Sequence, residues 1–304
     1  MTTQAYEVVR PAPTTISGRI LRPLSSTPVH IALILLAVIW LVPSVGLLIT
    51  SFRPRPDIGS SGWWETLSSF NFTLDNYKNV LDNQGMGSAF RNSLLISVPA
   101  TILPLFIGAL AAYAFSWIRF PFRDTVFLGI VALMVVPLQM TLVPVLRLFQ
   151  DIGETTTGQR DLLTGSYYGI WIAHTTFALP FCIFLLRNFF ITLPRDLIEA
   201  ARVDGATNLG IFFKVVLPLS VPALASFAIF QFLWVWNDLL MALIFIQESG
   251  LRPLTLRIQE VQSTYGVEWH LLSAGAFLLM AVPLIVFFSL QRYFVQGLLA
   301  GSVK

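Results

Sequence analysis

Long apolar stretches without a single charged residue recur along this chain, and the first of them runs from Ile31 to Phe52. A helix rises about 1.5 Å per residue, so about 20 such residues cover the hydrocarbon core of a bilayer. Six stretches meet that length with at most a marginal charge, at 30–52, 92–118, 124–149, 168–193, 218–246 and 271–291. Each is rich in Leu, Ile, Val, Phe and Ala without strict alternation, so they read as helices and not as barrel strands. Composition points the same way, with 55% hydrophobic and 12% charged residues, where a soluble domain carries about 25% charged. An ordinary water-soluble globule, a disordered chain and a nucleic-acid-binding domain are thereby excluded. The expectation is an all-α membrane protein with six transmembrane helices. Arg10, Arg19 and Arg22 precede the first run as they would in a signal peptide. That run is too long for one, and no small-x-small site closes it.

Orientation follows from where Lys and Arg lie in alternate segments. One set holds the N-terminal segment 1–29, the turn with Arg119 and Arg123, the loop from Arg187 to Lys214, and the tail 292–304. It carries eleven of the 19 basic residues against five acids. The opposite set carries eight basic residues against ten acids, and half of its basic residues lie in or beside the long segment 53–91, a weak voter by its length. Both termini are therefore expected on the cytoplasmic side. The segment 53–91, with Trp63 and Trp64, reads as an external loop, either flexible or lying against the membrane surface.

Several chemistries are missing. A P-loop requires Gly-Lys followed by Ser or Thr, yet Lys78, Lys214 and Lys304 are the only lysines and none follows a glycine. ATP is not expected to bind here by that device. His30, His174 and His270 are scattered and Cys182 stands alone, so no metal site and no intrachain disulfide is expected. His174 falls inside a span, where a packing role is the plainer reading beside a proton relay. Asp238 is the one carboxylate at membrane depth, thin support for an ion-driven pump.

The most polar internal segment of the predicted cytoplasmic face is 194–217, followed by Pro218. Pro194 and Asp196 suit the first turn of a helix, which Gly205 can end by adopting positive φ. Thr207 is placed to cap a second helix leading to Pro218. The segment resembles the EAA loop of ABC-importer permeases through Glu199, Ala200, Ala201, Gly205, Val215, Leu217 and Pro218, with Val215 where the family has Ile. Further along the chain, FTLDNYKNVL from Phe72, WNDLLMALIF from Trp236 and QRYFVQGLLAGSVK at the C-terminus look like maltose-type and α-glucoside-type carbohydrate permeases.

That resemblance implies a type I ABC importer permease fold and a multi-pass location in the bacterial cytoplasmic (inner) membrane. It implies as partners a homologous second permease, two ATPase subunits carrying ATP and Mg, and an extracellular sugar-binding protein, with no nucleic acid and no cofactor on this chain. It also implies that Glu199, Ala200, Ala201, Asp204, Gly205 and Pro218 couple the spans to the ATPases. In the fifth span Gln231, Trp234, Asn237, Asp238 and Met241 share one face at helical spacing. Amides, a carboxylate and an aromatic ring suit a sugar, so these residues are candidates for the translocation path. Interhelical packing through hydrogen bonds explains the same stripe. A polyol or glycerol-phosphate solute, and a self-sufficient secondary transporter, stand as alternatives.

Overall fold

The structure, a computed structural model, describes residues 16–82, 85–265 and 268–300. Residues 1–15 of the expected N-terminal segment and 301–304 of the expected tail lie outside the described residues. The order is α1 (Ile16–Ser51), α2 (Arg55–Ser60), α3 (Thr66–Ser69), α4 (Asp75–Asp82), α5 (Met86–Trp117), α6 (Arg123–Ala132), α7 (Leu138–Thr157) and α8 (Tyr167–Phe190). There follow α9 (Arg195–Val203), α10 (Asn208–Ile211), α11 (Leu217–Leu219), α12 (Val221–Trp236), α13 (Leu240–Phe245), α14 (Leu254–Tyr265) and α15 (Trp269–Ala300). Among the described residues there is no strand.

Four segments, Pro28–Ser51, α5, α8 and Trp269–Gln291, are long and apolar enough to cross a membrane alone, and the number rises to six if each of two bent helix pairs is one span. The boundaries depart from a count of charges in instructive ways. The second helix starts at Met86, ahead of Asn92, because one charge at Arg91 does not stop a helix. The third span is not one rod, since α6 and α7 meet at 105°. Pro137 explains it: the residue before a proline is driven out of the α region, and Val136 sits at φ −70, ψ 119. The fifth stretch is broken as well, with α12 ending at Trp236 and α13 starting at Leu240.

The pair α5 and α8 forms the centre and runs parallel, with Asn92 beside Tyr167, Leu95 beside Trp171 and Pro104 beside Cys182; α12 and then α15 lie against it, and α1 is outermost against α15. Small residues let the central pair approach closely: Ala109, Ala112, Ala173 and Ala178 are buried there. In α1 only 6% of the apolar window is buried, so its surface faces lipid or another subunit.

Prolines inside these helices leave specific debts. A proline at position i has no N–H for the carbonyl at i−4, and hydrocarbon offers no water in its place. Pro99, Pro104 and Pro283 therefore strip partners from Leu95, Ala100 and Leu279. Each carbonyl accepts instead from a side chain on a neighbouring helix: Trp171 Nε1 to Leu95 O at 2.9 Å, Gln231 Nε2 to Ala100 O at 3.1 Å, and Trp236 Nε1 to Leu279 O at 2.8 Å. These bonds tie α8 to α5, α12 to α5 and α12 to α15.

Candidate functional site

Two regions carry the residues expected to act, and the loop between α8 and α12 is the better defined. Its first helix, α9, ends in a Schellman motif, with Gly205 N–H donating to Arg202 O and Ala206 N–H to Ala201 O, both at 3.0 Å. Gly205 closes it at φ +79, a conformation that disfavours any Cβ. Thr207 then caps α10, its Oγ1 accepting from Gly210 N at 3.1 Å. The chain widens into a π-helix at Phe212–Val216 before α11, and the run from Asn208 to Leu219 meets α12 at 77°.

One side of this hinged pair is anchored. Ile198, Ile211, Phe212 and Val216 are buried in a cluster with Tyr113 of α5, Leu186 and Phe190 of α8 and Phe227 of α12. The ring of Tyr113 stands 5.4 Å from that of Phe212, and Arg202 Nη2 donates to Trp117 O at 3.0 Å, fastening α9 to the end of α5. The other side is bare. Glu199, Ala200, Asp204, Gly205 and Pro218 are exposed and Ala201 is half-buried, while Val203 is 88% exposed. On α9, Asp196, Glu199, Ala200 and Val203 fall at i, i+3, i+4 and i+7, one acidic and apolar face. An element rigidly seated in three spans, with a bare face, can pass a push from a neighbour into those spans.

The fifth-span stripe differs from its sequence reading. Because the helix stops at Trp236, Gln231, Trp234, Asn237, Asp238 and Met241 do not share one face. The cause is local: Asn and Asp side chains compete for backbone bonds, and Asn237 Nδ2 donates to Leu233 O at 2.8 Å while Asp238 Oδ2 accepts from Ala242 N at 3.1 Å, at the start of α13. Thr255 Oγ1 donates to Asp238 O at 3.0 Å and holds the break from outside. Gln231 is buried on Ala100 O, Met241 is buried beside Phe149 and Phe245, and Trp234 is 63% exposed.

His174, for which the sequence favoured a packing role over a proton relay, is buried as packing requires, but its Nε2 lies 4.0 Å from Asp238 Oδ2 with no hydrogen-bond partner. Ser93, Ser97, His174 and Asp238 line a cavity of about 10 Å³ at this break, the size and polarity that suit one water molecule. Nothing in the sequence joined His174 to Asp238, or Gln231 to Ala100.

Gln231 allows a sharp test of packing against path lining. Gln231→Leu should leave Ala100 O unpaired, at about 1 to 3 kcal/mol, and lower the melting temperature of the solubilised complex. Adding Pro104→Ala supplies an N–H to that carbonyl, so stability should return. Lost uptake at unchanged melting temperature, with no rescue, would place Gln231 in the path instead.

A helical membrane bundle with a hinged, outward-facing helix pair and an interrupted span has the build of a transporter permease subunit. Residues 104–299 match the family described as "Binding-protein-dependent transport system inner membrane component", and the chain belongs to that family. It is 53% identical to the osmoprotective compounds uptake permease protein GgtD of Synechocystis sp., over 91% of this chain and 92% of that one. It is 38% identical to the alpha-glucoside transport system permease protein AglG of Rhizobium meliloti, over 91% of this chain and 96% of that one. Among solved structures, a bacterial ABC transporter involved in alginate import superposes with a TM-score of 0.72 at 22% identity, covering 94% of this chain and all of that one. The fold is thus that of a type I ABC importer permease.

Proposed function

We propose that this chain forms half of the translocation pathway of an ATP-driven importer for a sugar of the oligosaccharide or α-glucoside class. A homologous permease supplies the other half. Two ATPase subunits bind ATP and Mg and dock on the loop through Glu199, Ala200, Ala201, Asp204 and Gly205, and an extracellular binding protein delivers the sugar. Both termini and the loop face the cytoplasm on this reading. The observation that carries it is the loop itself, anchored on one side in α5, α8 and α12 and bare on the other. The sugar class rests on relatives such as AglG, named for alpha-glucosides. GgtD, named for osmoprotective compounds, favours a second reading in which the solute is a small polyol-like osmolyte. Pro218, exposed and following the π-helix, contributes by setting the bend into α12. Trp234 and Asn237, the exposed members of the stripe, are the ones left to line a path, with Asp238 shaping the break beside them.

The test is reconstitution of the assembled importer in proteoliposomes with its binding protein and a panel of solutes. ATP hydrolysis should rise several-fold with α-glucosides. Stimulation by osmolytes alone selects the second reading, and stimulation by neither overturns both. In the same vesicles a cysteine at Gln159 should react with an impermeant thiol reagent from outside and one at Thr207 should not. The native Cys182 is fully buried and gives no background.

A further inference from the structure

Beside the coupling loop lies a group of donors that the coupling reading leaves unused. A cleft of about 520 Å³ opens between the end of α5 and the α9–α10 hinge, lined by Trp117, Ile118, Arg119, Arg202 and Asn208. Its charged lining is two guanidinium groups, with no carboxylate. Arg119 is exposed and, among the described residues, makes no ion pair or hydrogen bond. Arg202 gives one Nη2 bond to Trp117 O and forms no ion pair there. The indole Nε1 of Trp117 is buried with no partner. A neighbouring cleft shares Arg119 and adds Arg123 and Asp124. Asp124 is already engaged by Arg123 at 3.2 Å and Arg187 at 3.8 Å, so it does not neutralise Arg119. Glu199 and Asp204 are on the same loop but line neither cleft.

The position narrows the choice of anion. Trp117 ends the apolar α5 and Arg123 opens the next apolar helix, so the cleft lies at a membrane boundary, where Trp and Arg meet lipid headgroups. Along α5, Ile107, Ala111 and Ala114 follow at i, i+4 and i+7, with Ile118 just past the helix end, and Ile107 is 43% exposed. An acyl chain entering beside Ile118 therefore has an apolar track to follow. A guanidinium fork fits phosphate oxygens in pairs.

We propose that this cleft binds the phosphate of an anionic phospholipid, whose headgroup bridges Arg119 of the α5–α6 turn and Arg202 of the coupling loop. The proposal uses the orientation above only to assign the leaflet, which would be the cytoplasmic one. The lipid contact itself is tested without it.

Native mass spectrometry of the assembled importer, with phosphatidylglycerol or phosphatidylcholine added, tests this. The wild type should retain phosphatidylglycerol in preference, and Arg119→Gln should cut that retention ~10-fold, the loss expected for one charge-assisted bond of about 1.4 kcal/mol. Arg119→Lys, which keeps the charge but loses the fork, should fall between the wild type and Arg119→Gln, and the ATPase content should be equal in all three. Equal retention of the two lipids, or no change in Arg119→Gln, overturns the proposal. So does displacement of the lipid by millimolar inorganic phosphate, which would make this a free-phosphate site. Loss of the ATPase in Arg119→Gln with phosphatidylglycerol still bound would show that the cleft takes a partner's carboxylate, which also overturns it.

Discussion

Glu199→Lys and Gly205→Val should each insert normally, keep the helical bundle and lose uptake. Glu199 is exposed and, among the described residues, makes no hydrogen bond or ion pair, so reversing its charge leaves the fold alone. It does place a positive charge where a docking subunit would meet a negative one. Breaking a charge-assisted contact at an interface, with its partner left unpaired, lowers affinity at least ~30-fold. Gly205 acts through conformation and not through space, because a Cβ there would meet no atom within 4 Å. At φ +79 a β-branched residue is strongly disfavoured, the Schellman closure opens, and α10 no longer leaves α9 at its native angle. The effect should be graded by tolerance of positive φ: Gly205→Asn keeps most uptake, Gly205→Ala loses part and Gly205→Val loses nearly all. Transport assays on membranes with equal amounts of assembled complex decide it. Near-normal uptake in both Glu199→Lys and Gly205→Val, with the ATPases bound, would show that the loop does not couple.

That loop was legible because its structure is decided within a few residues. A proline and an acid start α9, a glycine ends it and a threonine caps the next helix, each acting on backbone three to five positions away. The four apolar stretches that form unbroken long helices, in α1, α5, α8 and α15, were legible for a similar reason, since length and charge alone select them. The bend between α6 and α7 was also written locally, in Val136-Pro137, but a search for uncharged runs is blind to it. The stripe in the fifth span misled because helical spacing was carried through Asn237 and Asp238, two residues able to satisfy the backbone with their side chains and so end the helix. What no local pattern could give is pairing at distance. Gln231 and Ala100 are 131 positions apart. Pro104 announces that some carbonyl needs a donor, but which helix provides it depends on how the bundle packs. The bond therefore lives at the level of tertiary structure, as does the approach of His174 to Asp238.

A close approach between the two central helices gives the second large effect. At Gly108 a Cβ would run into Cys182 Sγ and come within 3.0 Å of Cys182 Cβ, so α5 and α8 touch backbone to side chain at that level. Cys182 cannot retreat, since it is fully buried and its Sγ lies 3.3 Å from Pro104 O. Gly108→Leu should therefore fail to yield an assembled complex. Gly108→Ala should assemble with a clear loss of thermal stability, of about 1 to 3 kcal/mol for an overpacked core. Cys182→Ala alone gives up only a weak S–H bond and a small volume, and it should be mild. In the double variant the sulfur is gone, the methyl introduced at position 108 occupies its place, and much of the lost stability should return although two substitutions have been made. That non-additivity is the signature of direct contact, and melting curves of the four solubilised proteins measure it. If Gly108→Ala were harmless, or if the double variant were no better than Gly108→Ala, the two helices could not be packed at the distance seen here.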